Sequence, residues 1–196
     1  MDPSIYTRPN KPKTIPVKKR ARDFSLDAID TPMPISVDRV TECHVTPDSV
    51  AARMADYLNL NGGMTVLEPQ CGTGNLIAAV LAQAPAPVFI TGVERHVSLY
   101  QGTVQRFPQG VNVINACFLE YAATIEARFD RAILNPPFRN TQKHVLAAHR
   151  LLAPGGYMIA LVPITYQHPE ATEIEVLERG IFPTTNVATK IIELYA

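Results

Sequence analysis

Short apolar runs alternate with amphipathic stretches along most of the 196-residue chain. Apolar runs of strand length predict strands at 64–68, 88–94, 111–116, 129–134 and 157–162. Apolar residues at helical spacing predict helices at 75–83, 97–106 and 141–152, with a short turn of helix at 120–126. A further strand is predicted at 187–195 and a weak one at 173–178. Strands that alternate with helices form parallel sheets covered on both faces, so the pattern predicts an α/β fold.

Local signals indicate where some of these elements begin and end. Thr46-Pro47-Asp48 predicts a helix start, with Thr46 as the N-cap and Pro47 at the first helical position. Gly62-Gly63 is expected to end this helix before the first strand. Pro154-Gly155-Gly156 predicts a sharp turn between the last helix and the strand at 157–162.

The N-terminal 35 residues differ in composition from the rest of the chain. Six of the 17 prolines lie in the first 34 residues, where apolar periodicity is almost absent. Because proline prevents helix formation and favours an extended backbone, residues 1–35 are predicted to form a flexible arm. Residues 36–196 are then predicted to form one domain.

Charge is distributed unevenly, although the whole chain has a formal net charge of zero. Residues 1–22 contain seven basic residues and one acidic residue, whereas the other residues carry a net charge of −6. A basic terminal segment next to an acidic remainder of the chain is typical of proteins that bind a polyanion. The basic segment 8–22 is therefore expected to contact nucleic acid.

Several classes of protein are disfavoured by composition and spacing. No run approaches 18 consecutive apolar residues, and the N-terminus lacks the apolar core of a secretory signal. Cys43, Cys71 and Cys117 are widely separated and show no metal-ligand spacing, so they are predicted to be packing thiols in a reducing compartment. We therefore expect a cytoplasmic protein without a metal site, associated with the nucleoid if it acts on DNA.

A glycine-containing turn follows the first predicted strand in the segment VLEPQCGTGNL at 66–76. Gly72 and Gly74 allow a close approach of the backbone to a ligand. Glu68 ends this strand and Glu94 ends the next one, where a carboxylate can accept both hydroxyls of a ribose. The turn lacks the third glycine of a dinucleotide site, and Glu68 would repel a pyrophosphate but suit an ammonium or sulfonium.

These residues resemble the first motif of class I methyltransferases that use S-adenosylmethionine. The segment HVTP at 44–47 is similar to the x-T-P motif of amino DNA methyltransferases, whose loop covers the methionine end of the cofactor. The family usually has Asp-Phe-Leu after the third strand, whereas this chain has Cys117-Phe118-Leu119, so adenine recognition is expected to use backbone groups and Phe118.

The resemblance implies a Rossmann-like, mostly parallel seven-stranded sheet with helices on both faces and an antiparallel C-terminal strand. By the same resemblance, residues 36–196 are predicted to be the catalytic domain, without a separate target-recognition domain. The resemblance also implies S-adenosylmethionine as the cofactor. The residues implied to bind it are Thr46, Pro47, Glu68, Pro69, Cys71, Gly72, Gly74, Asn75, Glu94, Cys117, Phe118 and Asn135.

The segment FDRAILNPPF at 129–138 delivers Asn135 to the carboxyl end of an apolar strand. The Asn135 amide oxygen and the Pro136 carbonyl offer two acceptors for the hydrogens of a planar –NH₂ group, and Phe138 offers a ring for stacking. The segment resembles the D/N-P-P-Y/F motif of methyltransferases that modify exocyclic or amide nitrogens. By that resemblance Asn135, Pro136, Pro137 and Phe138 are implied as the catalytic set.

The x-T-P resemblance favours DNA adenine-N6 as the acceptor, with low intrinsic sequence specificity or a partner that supplies it, either another protein or a second copy of the chain. RNA (adenine-N6 or guanine-N2) and protein glutamine-N5 are alternative acceptors. Another alternative is a catalytically weak, nucleic-acid-binding subunit.

The five histidines are predicted to be structural or surface residues, with His44 and His168 in loops that could approach the pocket. Arg139 and Lys143 are candidate phosphate contacts or simple surface charges.

Overall fold

A computed structural model describes residues 44–182 and 187–196, together with the backbone of two short strands at 13–15 and 35–37. The strands are β1 (Lys13–Ile15), β2 (Ile35–Val37), β3 (Thr65–Glu68), β4 (Phe89–Glu94), β5 (Val111–Asn115), β6 (Phe129–Leu134), β7 (Leu152–Pro163), β8 (Thr172–Val176) and β9 (Thr189–Tyr195). The helices are α1 (Asp48–Asp56), α2 (Asn75–Gln83), α3 (Val97–Arg106), α4 (Phe118–Thr124) and α5 (Thr141–His149), and a 3₁₀ turn spans Phe138–Asn140.

Seven strands form one mixed sheet in the order β5-β4-β3-β6-β7-β9-β8. Strands β3 to β7 pair in parallel, whereas β9 runs antiparallel to both β7 and β8. The predicted α/β class, with a mostly parallel sheet and an antiparallel C-terminal strand, is confirmed. Strands β4 and β5 lie on one side of β3, and β6, the next strand along the chain, pairs with β3 on its other side. The strand order therefore changes direction at β3. Such a switch opens a crevice at the carboxyl ends of the strands.

The hydrophobic core has two layers because successive residues of a buried strand face opposite sides of the sheet. Ile133 belongs to the cluster that packs on α1 and α2, while Leu134 belongs to the cluster that packs on α4 and α5. Both residues are fully buried. The continuous apolar runs predicted as strands thus pack against helices on both faces of the sheet.

The last helix and the strand after it differ from their predicted bounds. Helix α5 ends at His149 rather than at 152, and β7 already begins at Leu152. The predicted sharp turn at 154–156 is wrong, because these residues lie within β7. They form an irregularity there, where the pairing of β7 with β6 shifts in register between Phe129 and Arg131. A Cβ at Gly156 would lie 2.9 Å from the Asp130 carbonyl oxygen, so glycine permits the close backbone approach there.

The predicted arm, residues 1–35, falls largely outside the described residues. Strands β1 and β2 pair antiparallel, with Lys13 opposite Val37 and Ile15 opposite Ile35. This backbone pairing was not predicted from the proline content.

In the described part of the chain, no helix is both long and apolar enough to cross a membrane. The same part contains no group of three or more His, Cys, Asp or Glu side chains arranged to hold a metal ion.

Candidate cofactor and acceptor site

A cavity of about 350 Å³ lies at the carboxyl ends of β3, β4, β5 and β6. Of the residues predicted from the sequence, it is lined by Thr46, Glu68, Pro69, Cys71, Gly72, Asn75, Glu94, Cys117, Phe118, Asn135 and Pro137. Pro47, Gly74, Pro136 and Phe138 were predicted as well but are not among the lining residues. The fold therefore brings residues as distant in the sequence as Thr46 and Asn135, which are 89 positions apart, to one crevice.

The glycine turn is held by the C-terminal half of α3. Gly72 and Gly74 have positive φ values of 51° and 78°. The Thr103 hydroxyl donates a hydrogen bond to the Gly72 carbonyl over 2.8 Å, and Arg106 donates to the Thr73 carbonyl over 2.8 Å. Gly74 lies behind the turn against the ring of Phe107, which explains why it does not line the cavity.

Replacing Gly74 by alanine is expected to destabilise the protein by about 3 kcal/mol or more, since strain at φ > 0 adds to overpacking. A Cβ there would lie 2.5 Å from Phe107 Cε2. Gly110→Ala is the matched control, because Gly110 has the same φ of 78° but no atom within 4 Å of the added Cβ. Urea unfolding should show a loss of only about 1 kcal/mol for the control. Equal losses in the two variants would contradict a steric role for Phe107.

Glu94 fixes the glycine turn to the end of β4. One carboxylate oxygen accepts a hydrogen bond from the Gly72 amide over 2.9 Å, and the other accepts from the His96 amide over 2.7 Å. Burial raises the pKa of Glu94, and these two backbone donors oppose the rise. Each oxygen keeps a second lone pair, so the carboxylate can still accept hydroxyl groups from a ligand in the cavity.

Glu68 is buried, and its Oε2 has no hydrogen-bond partner among the described residues. Burial, and secondly the neighbouring Glu94 carboxylate, raise the pKa of Glu68 well above its usual range; the Ile77 amide and Arg106 lower it less. An unpartnered buried carboxylate oxygen is costly, and it is well suited to a cationic or hydrogen-bond-donating ligand group. The cavity thus contains a polar position that an ammonium group would satisfy.

Thr46 has a different role from the one predicted. It was expected to cap α1, but α1 begins at Asp48 after Pro47 and has no side-chain cap. The Thr46 hydroxyl instead accepts a hydrogen bond from Asn135 Nδ2 over 2.9 Å, and the Thr46 carbonyl accepts from Asn75 Nδ2 over 3.0 Å. The predicted N-cap is therefore wrong, because the hydroxyl is used to bind the segment before α1 to the end of β6.

Asn135 is oriented by the same segment. Its Nδ2 also donates to the His44 carbonyl over 3.0 Å. A carbonyl can only accept, so this contact identifies which amide atom is the nitrogen and leaves Oδ1 as an acceptor pointing away from the Thr46 segment. Phe138 stacks on His44, with ring centroids 5.3 Å apart and an interplanar angle of 22°. The acceptor end of the cavity thus combines an oriented amide oxygen with the ring of His44, which stacks on Phe138, a residue outside the cavity lining.

Gln70 and His144 are among the cavity residues that were not selected from the sequence. His144, predicted as a structural or surface histidine, is buried and lines the cavity. Gln70, between the end of β3 and the glycine turn, lies 2.8 Å from the His144 ring through its Nε2. Only the position of Gln70 within the turn motif indicated proximity to a ligand. Of the other residues considered, His44 and Arg139 line this cavity, whereas His168 lines a second one at β8 and β9.

Solved structures with the same fold include methyltransferases. A protein described as a class I S-adenosylmethionine-dependent methyltransferase from Listeria monocytogenes is 20% identical, with a TM-score of 0.62, and the match covers 79% of this chain and 61% of that one. The methyltransferase subunit of a type I restriction-modification system from Streptococcus thermophilus is 20% identical, with a TM-score of 0.65 and coverages of 76% and 44%. A dimethyladenosine transferase from Plasmodium falciparum is 16% identical, with a TM-score of 0.64 and coverages of 78% and 63%.

The chain spans between 44% and 63% of the length of these three proteins. None of the curated protein sequences matches it. The fold is Rossmann-like, as predicted, and together with the family below it implies S-adenosylmethionine as the cofactor. The cavity fits this group, since Glu94 can accept hydroxyls and the unpartnered Glu68 oxygen can accept from a cationic end.

The N-terminal half of the chain carries the family relationship. The family model for protein-L-isoaspartate(D-aspartate) O-methyltransferase matches residues 17–115. This range includes the glycine turn, Glu68 and Glu94, but it ends before Asn135 and the prolines that follow. The chain therefore belongs to the protein-L-isoaspartate(D-aspartate) O-methyltransferase family.

Proposed function

We propose that this methyltransferase transfers a methyl group to a planar –NH₂ nitrogen, and that the usual acceptor is adenine N6 in DNA. The observation that carries the proposal is the orientation of Asn135. Its Nδ2 is occupied by the His44 carbonyl and the Thr46 hydroxyl, which directs Oδ1 elsewhere as an acceptor. A carboxylate acceptor would be repelled by such an oxygen, whereas an amine hydrogen would be held by it.

The chain's own residues act mainly by orientation. S-adenosylmethionine, when bound, supplies an electrophilic methyl group on its sulfonium. The Asn135 amide oxygen holds one amine hydrogen, and the motif resemblance assigns the other to the Pro136 carbonyl, so that the nitrogen lone pair can point at the methyl group. The His44 ring, which lines the cavity and stacks on Phe138, supplies a surface for a planar base. Holding the two reacting groups in this arrangement accounts for most of the expected rate increase.

DNA adenine is favoured over other nitrogen acceptors by the resemblance of residues 44–47 and 135–138 to amino DNA methyltransferases. The similar structures include a subunit of a restriction-modification system and a dimethyladenosine transferase. A base must leave its stack to enter the cavity, which costs a few kcal/mol and favours weakly paired sites. We propose low intrinsic sequence specificity, with a partner protein or a second copy of the chain supplying more, and action in the cytoplasm at the nucleoid.

A second candidate is O-methylation of a protein carboxylate. The observation that favours it is the match of residues 17–115 to a family described by isoaspartate O-methylation. Those residues include the side of the cavity formed by Glu68 and Glu94, but they exclude Asn135 on the acceptor side. The family match therefore bears on the cofactor half of the site, and the acceptor half favours nitrogen.

The acceptor can be identified with methyl-tritiated cofactor and four substrates: duplex DNA, RNA, total protein, and a synthetic peptide containing isoaspartate. We expect label in DNA, recovered as N6-methyladenine after digestion and stable to mild base. Label only in RNA or in protein amides would refute the DNA acceptor but keep nitrogen transfer. Base-labile label in the peptide, as expected for a methyl ester, would refute nitrogen transfer and support the second candidate. Absence of label in all four would support the alternative of a catalytically weak, nucleic-acid-binding subunit.

The basic segment 8–22 lies outside the described residues except for its strand β1, and we propose that it binds phosphates. Deleting residues 1–22 removes seven basic side chains. If several of them neutralise phosphates, the slope of log affinity against log salt should flatten by about 0.9 for each phosphate that is no longer neutralised. Fluorescence anisotropy with labelled duplex DNA measures this slope. An unchanged slope, with cofactor binding also unchanged, would exclude the segment from DNA binding.

A further inference from the structure

The adenine end of the cavity lacks the acceptor that the resemblance leads one to expect. Cys117 follows β5 and lines the cavity, but a thiol is a weak hydrogen-bond acceptor. Phe118, the next residue, begins α4 and is buried. The exocyclic amine of a bound adenine would thus have to find its acceptor on another element of the structure.

Gln70 brings an unsatisfied acceptor to this part of the cavity. Its Nε2 donates to His144 Nδ1 over 2.8 Å, which leaves Oε1 as the other end of the amide. Oε1 is buried and has no hydrogen-bond partner among the described residues. A buried amide oxygen without a partner costs free energy, and in a ligand cavity it is satisfied by a donor on the ligand.

His144 connects this amide to the residues around Cys117. Its ring stacks on Phe118, with centroids 6.0 Å apart and an interplanar angle of 21°. Burial, and secondly the charge of Arg95 just beyond β4, lower the pKa of His144, which favours the neutral ring. Nδ1 accepts from Gln70 when the ring proton is on Nε2. The stacking on Phe118 brings His144, and with it Gln70, beside the residues that follow β5.

We propose that Gln70 is the residue that recognises the cofactor's adenine: its amide oxygen accepts the 6-amino group, and His144 holds the amide in the orientation this requires. Gln70 is thereby a specificity residue and His144 a positioning residue. This inference rests on the cofactor of the proposed function, but not on the identity of the methyl acceptor. It also gives a physical reason why Cys117 is tolerated where the related enzymes usually have aspartate.

The test compares two ligands by titration calorimetry without any acceptor. S-adenosylhomocysteine carries the 6-amino group, while S-inosylhomocysteine carries a 6-oxo group that can only accept. The 6-oxo group cannot donate to the buried Gln70 amide oxygen, so the wild-type chain should bind the adenosyl ligand about 30-fold more tightly than the inosyl ligand. Gln70→Met, which preserves volume but removes the amide, should reduce that preference to about twofold or less. Gln70→Ala repeats the test in case the methionine variant does not fold.

The controls separate recognition from general damage. Gln101→Ala removes an exposed glutamine from α3 and should leave the preference unchanged. His144→Phe keeps an aromatic ring beside Phe118 but removes the hydrogen bond to Gln70, so it should lower the preference severalfold while the melting temperature changes little. Full preference retained in both Gln70 variants overturns the assignment of Gln70, and full preference retained in His144→Phe overturns the positioning role. A wild-type preference for the inosyl ligand also overturns the proposal.

The failure of this inference and that of the proposed function are distinguishable. Loss of nitrogen methylation from the substrate screen, with adenosyl preference intact, rejects only the acceptor chemistry. Methylation of adenine with no effect of Gln70 on the ligand preference rejects only the recognition of the cofactor by Gln70.

Discussion

Asn135→Ala is expected to lower the rate of methyl transfer by about 100-fold or more, since misplacing the acceptor nitrogen has effects of this size. The variant removes the amide oxygen that is proposed to hold one amine hydrogen. It also removes the two Nδ2 hydrogen bonds to the His44 carbonyl and the Thr46 hydroxyl. Single-turnover measurements with saturating cofactor and the acceptor identified in the screen would give the rate, and calorimetry would give the cofactor affinity.

Two further variants separate these contributions. Thr46→Val keeps the shape of the side chain and the Asn135 amide oxygen but removes one acceptor of Nδ2, so its rate should fall only about tenfold. Asn112→Ala removes an exposed asparagine from β5 and should change neither rate nor affinity. The excess loss in Asn135→Ala over Thr46→Val is then assigned to the amide oxygen. Equal losses in Asn135→Ala and Thr46→Val would reduce Asn135 to an anchor for the segment before α1.

Glu68→Gln is expected to have opposite effects on stability and on cofactor binding. Without cofactor, the variant should gain about 1–3 kcal/mol at neutral pH because it removes a buried carboxylate that lacks a full set of partners. Cofactor affinity should fall by about 10- to 100-fold, since the variant cannot form a charge-assisted hydrogen bond to the cationic end. Glu126→Gln, at an exposed loop position, is the control and should change neither quantity. Urea unfolding and calorimetry measure the two effects.

The stability effect of Glu68 has a definite direction with pH. Because the folded pKa lies well above the value of the unfolded chain, the folded state holds an extra proton between the two pKa values. The contribution of Glu68 to stability is full below the unfolded pKa and is lost as the pH rises through the folded pKa. The advantage of Glu68→Gln should therefore increase across that window. A variant advantage that decreased with rising pH would show that the pKa of Glu68 in the folded state lies below its value in the unfolded chain.

The elements were largely predictable because their patterns are local. The bounds of α2, α3 and β6 match the prediction, since each has a continuous or periodic apolar pattern and a clear boundary. The error at 154–156 has a physical cause. Glycine and proline usually mark a turn, but here they allow β7 to pass close to the Asp130 carbonyl and continue in the sheet. A local signal could not distinguish these two uses of glycine.

The residues of the site that lie at the carboxyl ends of strands could be predicted from the sequence. Glu68, Glu94 and Asn135 each end or follow an apolar strand, and the carboxyl ends of parallel strands lie at one edge of a sheet. Their assembly around one cavity follows from the alternation of strands and helices. The hydrogen bonds that orient them do not, because Thr46 and Asn135 are 89 positions apart and meet only through the packing of the segment before α1.

The sequence by itself determined the alternation of elements, the glycine turn, the acids at the strand ends and the Asn-Pro-Pro-Phe segment, because each is encoded in a short run of residues. Only the tertiary structure decided which side chains are left with unsatisfied atoms. Within the described residues, Glu68 and Gln70 each have an oxygen without a hydrogen-bond partner, and His144 is buried beside Phe118. Both features depend on how α2, α4 and α5 pack against the sheet. Hydrogen-bond satisfaction and burial depend on all neighbours in space, so a linear pattern cannot specify them.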